Sequence, residues 1–209
     1  NKIMKENIKE NMKENMKENM KEIKKENMKE DMKEAEELNE EAKLAFKEKD
    51  FEKSAECLLR AVNICPIEGK YFHNLGKAFI KMEKYKEAVS VFSKAIEFGF
   101  VLEFSYLGRG SAWSSLGENE KAIEDYTEVL KINEDSKDAL QYRGVAYNNI
   151  KQFDKALEDF NTLNEKYPDD TIITMMLKGV AHRNLGMHEE ADRDFDDCDK
   201  ELKQMENPN

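Results

Sequence analysis

A small residue recurs along the chain at Ala42, Gly76, Gly110, Gly144 and Gly179, in steps of 34, 34, 34 and 35 residues. A second small residue keeps the same steps at Ser54, Ala88, Ala122, Ala156 and Ala191. Five units in phase leave few folds open, because a unit this short cannot bury its apolar face alone and has to stack on its neighbours. The stretch KYFHNLGKAFIKM, Lys70 to Met82, shows what one half-unit looks like. It reads as an amphipathic helix with Leu75-Gly76 in its middle. Glycine inside a helix costs about 1 kcal/mol relative to alanine, so a recurring helical glycine predicts the close approach of another element.

The second half of each unit carries a large residue four positions after its small one: Leu58, Phe92, Tyr126, Phe160 and Phe195. Three positions before it stand Phe51, Tyr85, Asn119, Phe153 and His188, and Pro66 and Pro168 punctuate two unit ends. This pattern resembles the tetratricopeptide repeat, a 34-residue helix–turn–helix with a small residue in each helix and a terminal proline. The resemblance implies an all-α, right-handed superhelical solenoid of five repeats with a helical N-terminal extension. By phase the repeats run 35–68, 69–102, 103–136, 137–171 and 172–205, preceded by an extension 1–34 and followed by a tail 206–209. Each holds a helix A, a turn and a helix B. Turn signals stand at Lys49-Asp50, Gly117-Glu118-Asn119 and Gly186-Met187. Gly76 is expected to face Ala88, and Gly144 to face Ala156. Repeat 1 departs from the pattern at Glu41-Ala42 and Ser54, as an end unit does. Repeat 2 exits through Gly99-Phe100 without a proline. The acidic last helix, HEEADRDFDDCDKELKQME, is expected to cap the C-terminal end.

Residues 1–34 form a degenerate NMKE array in which Met4, Ile8, Met12, Met16 and Met20 recur every fourth residue. A period of four drifts by about 40° per step around a helix, so the stripe smears instead of forming the 3.5-residue seam of a coiled coil. Glu–Lys pairs at i+3 favour a solvated helix. Two readings stand: a low-complexity extension without its own function, and a lone helix for docking or self-association.

The net charge of −11 argues against nucleic acid as a partner, which calls for a basic footprint. No run of ten apolar residues occurs, so no membrane contact is expected. Cys57, Cys65 and Cys198 form no paired framework: Cys57 and Cys65 are about 12 Å apart along a helix, too far for a disulfide. A reducing cytoplasm is the expected location. No cofactor or metal motif is present. His73, His182 and His188 lack zinc spacing, and GRGSAW at 108–113 lies in a helical unit instead of following a strand. His188 occupies an aromatic slot, while His182 falls where Trp113 and Tyr147 fall, so packing is expected for both. No catalytic residues are assigned, and the protein is expected not to be an enzyme.

In the family resembled, the A helices line a concave face that receives a peptide or a partner's helix. Spacing places one stripe of each A helix there: Glu36, Asn39, Lys43, Phe46 and Lys47; Lys70, His73, Lys77, Ile80 and Lys81; Phe104, Leu107, Ser111, Ser114 and Ser115; Asp138, Gln141, Val145, Asn148 and Asn149; Ile173, Met176, Val180, Arg183 and Asn184. Six cations oppose two acids on this stripe, reversing the sign of the whole chain, and five of the six lie in repeats 1 and 2. The candidate peptide-binding residues are Asn39, Lys43, Lys47, Lys70, His73, Asn74, Lys77, Lys81, Phe104, Leu107, Gln141, Asn148, Asn149 and Arg183. An acidic segment or a C-terminal carboxylate is the expected ligand. Some family members hold chaperone C-termini in a clamp of Lys, Asn, Asn, Lys and Arg. Here Asn74 matches the middle Asn, but Asn39 and Lys43 are interchanged and Phe104 and Gly108 stand where Lys and Arg are needed. The strict clamp is broken. The reading is therefore a protein–protein interaction module whose groove takes a partner's peptide. A scaffold subunit using convex faces and the N-terminal helix is the alternative, and a co-chaperone-like adaptor the second alternative.

Overall fold

A computed structural model describes the backbone of residues 2–168 and 172–206, with side chains for 20–22, 24–168, 172–203 and 205. Residues 207–209 of the tail and the side chains of Met4, Ile8, Met12, Met16 and Ile23 lie outside the described residues. Among the described residues ten helices follow in order: α1 (Lys2–Lys47), α2 (Phe51–Ile64), α3 (Gly69–Lys81), α4 (Tyr85–Glu97), α5 (Leu102–Ser115), α6 (Asn119–Ile132), α7 (Lys137–Asn149), α8 (Phe153–Lys166), α9 (Ile172–Asn184) and α10 (His188–Glu206). Each packs on the next, and α3, α5, α7 and α9 lie side by side. The odd-numbered helices are thus the A helices of a solenoid. α1 runs unbroken from the NMKE array into the first A helix, roughly 70 Å at 1.5 Å per residue. Met20, Met28 and Met32 are exposed along it.

One turn geometry joins A to B in every pair. The sixth-residue amide bonds back to the first carbonyl at Asp50→Ala45, Lys84→Phe79, Glu118→Trp113, Gln152→Tyr147 and Met187→His182, with an inner bond from the residue before. This is the Schellman C-cap, which needs a left-handed residue at its apex. Lys49, Glu83, Gly117, Lys151 and Gly186 supply it, all at positive φ. Two of the five are glycine, so glycine signals alone do not find Glu83 or Lys151. Asp50 then caps α2 by accepting from the Lys53 amide at 3.0 Å. Repeat 2 exits by a second such cap with Gly99 at φ +68, followed by Val101 at φ +39.

The helical glycines meet aromatic rings. A Cβ on Gly76, Gly110, Gly144 or Gly179 would stand 2.4–2.8 Å from a ring carbon of Phe92, Tyr126, Phe160 or Phe195, respectively. The expected facing of Gly76 on Ala88 and Gly144 on Ala156 is corrected accordingly: the ring one turn further along helix B fills the space a side chain would need. Leu58, Phe92, Tyr126 and Phe160 are at most 2% exposed. Phe195 is only half-buried and His188 is exposed. That corrects the packing expected for His188, because among the described residues no later helix covers the α9–α10 pair. His182 does pack between α9 and α10, with its Nδ1 2.6 Å from Asp194 Oδ2.

A buried ion-pair ladder was not anticipated. Arg143 on α7 donates through Nε and Nη2 to both Asp159 oxygens on α8, at 2.9 and 2.7 Å, and through Nη1 to Thr127 on α6. Arg109, Asp125 and Ser93 repeat the arrangement one unit earlier. Each trio therefore ties an A helix to its own B helix and to the preceding one. The signal was present in the sequence: Ser93/Thr127, Arg109/Arg143 and Asp125/Asp159 all stand 34 apart.

Candidate functional site

Two cavities open along the A helices and share Lys77. The first, about 220 Å³, lies between α1, α2 and α3 and includes Glu40, Lys43, Phe46, Lys47, Asn74 and Lys77. The second, about 430 Å³, crosses α3, α5 and α7 and is lined by His73, Lys77, Ile80, Phe92, Phe104, Leu107, Gly108, Ser111 and Tyr142. The structure thus brings Lys43, Lys47, Asn74 and Lys77 together at one end of the face, and His73, Lys77, Phe104 and Leu107 next to them. Phe104 is 56% exposed beside that second cavity.

Several candidates are already engaged. Asn39 is 1% exposed. It donates to Glu36 and accepts from Asn74 Nδ2 at 2.9 Å, so it holds repeat 1 to repeat 2 and is no open groove residue. Lys70 pairs with Glu36, whose carboxylate also accepts from Tyr71. The Lys70 ammonium, ahead of the amide and phenol donors, pulls Glu36 below its ordinary pKa. Lys43 pairs with Glu40 at 2.6 Å. The cationic excess predicted for repeats 1 and 2 is thereby narrowed to Lys47, Lys77 and Lys81. Lys47 and Lys81 are exposed without an acidic partner among the described residues. Lys77 lies over the Phe46 ring at 5.4 Å. A stripe count treats each side chain as isolated, and so it missed Glu40, which lies off the stripe.

At the far end Arg183 turns to its own helix B, meeting Asp192 at 3.3 Å and lying over Phe195. Asn149 donates to Asn119 at 3.2 Å. Asn148 Oδ1 is buried without a partner. Gln141 is half-buried on α7. None of these four lines either cavity. Their stripe instead offers exposed Ile173, Met176 and Val180 on α9, so the face grades from cationic to apolar. Tyr142, Phe92 and Gly108 line the second cavity but lie off the predicted stripe, and Tyr142 is the most exposed of them. Tyr142 falls two places before the small position, where repeat 3 has Gly108.

His73 is the histidine of this face. Its Nδ1 is 3.0 Å from Ser105 Oγ, and its ring meets Phe92 edge-on and tilts against Phe100. Burial, and secondarily the Lys77 charge, lower its pKa from 6.5 to about 4. A folded-state pKa below the unfolded value means that the unfolded chain takes up the proton first as pH falls. Stability from the neutral ring is full above 6.5 and is lost as pH falls towards 4. Wild type is expected to lose about 1–2 kcal/mol more than His73→Asn between pH 7 and pH 5, discounted for the ring edge that water reaches. Urea midpoints of both proteins at the two pH values measure this; equal losses would contradict it.

Paired helices stacked in one direction, with a common face along their A helices, define a helical-repeat solenoid. Tetratricopeptide repeat patterns match residues 69–98 and 105–136, and a second such pattern matches 138–170. Residues 69–98, 105–136 and 138–170 are thus tetratricopeptide repeats. The chain is 31% identical over 105 residues to human serine/threonine-protein phosphatase 5, covering 50% of this chain and 21% of that protein. It is 35% identical over 88 residues to the rice (Oryza sativa subsp. japonica) Protein SGT1 homolog, covering 42% and 24%. The chain thus spans about a fifth to a quarter of the length of these two relatives. Among solved structures, a MamA protein superposes with TM-score 0.77 at 20% identity, over 84% of this chain and 96% of that one. YrrB, described as a TPR protein with an unusual peptide-binding site, gives 0.72 at 20% identity, over 83% and 89%.

Proposed function

We propose that the chain is a protein–protein interaction module whose concave face captures an extended peptide with acidic residues over repeats 1 and 2 and apolar ones over repeats 3 to 5. The carrying observation is that Lys47, Lys77 and Lys81 have no acidic partner among the described residues: Lys77 lines both cavities, Lys47 lines the first, and Lys81 stands one turn beyond Lys77 on α3. In a chain of net charge −11, a local cationic patch in a concave wall steers an acidic segment to that wall and away from the rest of the surface. The likeness to YrrB, a TPR protein with an unusual peptide-binding site, and to the repeat regions of larger proteins supports the reading. The interchanged Asn39 and Lys43, with Asn39 buried, disfavour the chaperone-tail adaptor.

Fluorescence anisotropy with an Asp-rich peptide at low and high salt tests it. Lys77→Glu with Lys81→Glu is expected to weaken binding roughly tenfold or more and to remove its salt dependence. Both side chains are exposed, so the fold is expected to persist. Binding indifferent to the reversal would favour the second reading, a scaffold subunit. That reading draws on the exposed Met20, Met28 and Met32 of the long α1.

A further inference from the structure

The Ser105 hydroxyl has one hydrogen and is fully buried. Its Oγ donates at 2.9 Å to the Phe100 carbonyl, which can only accept. The contact at 3.0 Å with His73 Nδ1 must therefore run the other way, with Nδ1–H donating and Oγ accepting. That assigns the tautomer: Nδ1 carries the ring hydrogen and Nε2 is a bare acceptor in the neutral ring. The ring stays neutral at physiological pH, since its pKa is lowered to about 4. Nε2 has no hydrogen-bond partner among the described residues and is not fully buried, so a ligand can reach it. His73 lines the second cavity together with apolar Ile80, Phe92, Phe104 and Leu107, the Tyr142 ring, and Lys77.

Resting on the groove being the binding face, we propose that this cavity of about 430 Å³ is a side-chain pocket for an aromatic residue with its own hydrogen-bond donor, tyrosine or tryptophan, in the bound segment. Leucine, isoleucine or phenylalanine would fill the apolar walls but desolvate the Nε2 acceptor and leave it unpaired, a cost that selects against them. Arginine or lysine would bring a donor but also a charge beside the Lys77 ammonium. Serine and threonine are too small to cover the Phe104 and Leu107 surface. An aromatic ring with an N–H or O–H at its edge satisfies both requirements and packs against Phe92 and Phe104. Acidic neighbours in the same segment would reach Lys77 and Lys81.

The test uses the full chain and fluorescein-labelled peptides that differ at one central residue: tyrosine, O-methyltyrosine, phenylalanine or glycine, each with Asp or Ser flanks. O-methyltyrosine keeps the ring and removes the donor. Tyrosine is expected to bind about 5–10-fold tighter than O-methyltyrosine or phenylalanine, and His73→Phe to abolish that difference. Phe104→Ala, at an exposed position, is expected to weaken all three aromatic peptides together. If the glycine peptide with Asp flanks binds as tightly as the tyrosine peptide, the pocket is overturned while the acidic-peptide reading stands. If tyrosine is preferred but Asp flanks bind no tighter than Ser flanks, the pocket stands and the acidic reading fails. If no peptide binds, both fall.

Discussion

Asp159→Ala is expected to destabilise the protein by about 3–5 kcal/mol, while Arg143→Leu with Asp159→Val together cost much less. Asp159 is 4% exposed, and both its oxygens accept from Arg143. Removing the carboxylate leaves a guanidinium between α6, α7 and α8 with only Thr127 to bond. Burial holds the Asp159 carboxyl above its ordinary pKa even against the pull of Arg143. The pair therefore meets a desolvation penalty comparable to its attraction, and an apolar pair of similar shape is a fair exchange. The molecule already contains that exchange. Leu75 and Val91 stand 34 residues before Arg109 and Asp125, and they pack into the core of repeat 2. Urea midpoints of the two single variants and the double variant give the result. A double variant as unstable as Asp159→Ala would show that the ion pair supplies specific geometry that apolar packing cannot replace.

The comparison of repeats 2 and 3 also shows where a sequence reading reaches its end. A 34-residue period gives helix pairing, turn positions and the phase of each small residue, because these are properties of a backbone repeated five times. It does not say which atom comes closest. Gly144 was paired with Ala156 on the rule that small meets small, yet the structure sets it against the Phe160 ring. Phe160 itself had been picked out by the same period. The candidate site divides in the same way. The A-helix stripe led to Lys77, His73, Phe104 and Leu107, which the structure gathers around one cavity. It also led to Asn39 and Lys70, which are consumed by contacts between repeats 1 and 2. Those contacts join residues 34 or 35 apart on neighbouring A helices, and a stripe drawn one helix at a time does not contain them. The orientation of His73 depends on a serine and a carbonyl 27–32 residues away, so no local pattern announces it.

Gly144→Leu is expected to lower the melting temperature far more than Glu158→Leu, and even Gly144→Ala is expected to cost about 1–3 kcal/mol. The Cβ alone would lie 2.4 Å from Phe160 Cε1 and 2.8 Å from its Cζ. Phe160 is fully buried, so the ring cannot swing into water to make room. Alanine's better helix propensity, about 1 kcal/mol, offsets only part of the clash. Glu158 is exposed on the neighbouring helix, where a substitution usually changes stability by less than about 0.5 kcal/mol. The cause can be separated from a backbone effect by shrinking the ring. Phe160→Leu opens a cavity and destabilises alone, but in the Gly144→Ala background the new methyl occupies part of that space. The double variant is then expected to be more stable than the sum of the singles predicts, by about 0.5–2 kcal/mol. Gly117→Ala supplies the contrast, since Gly117 sits at φ +80 with nothing within 4 Å of a Cβ. Its cost comes from left-handed backbone, and no neighbouring truncation is expected to relieve it. Ala156→Gly likewise offers no relief at Gly144, because the ring and not the alanine occupies the space. Additive behaviour of Gly144→Ala with Phe160→Leu would place the constraint in the backbone and overturn the glycine–ring pairing as the device that sets helix approach in each repeat.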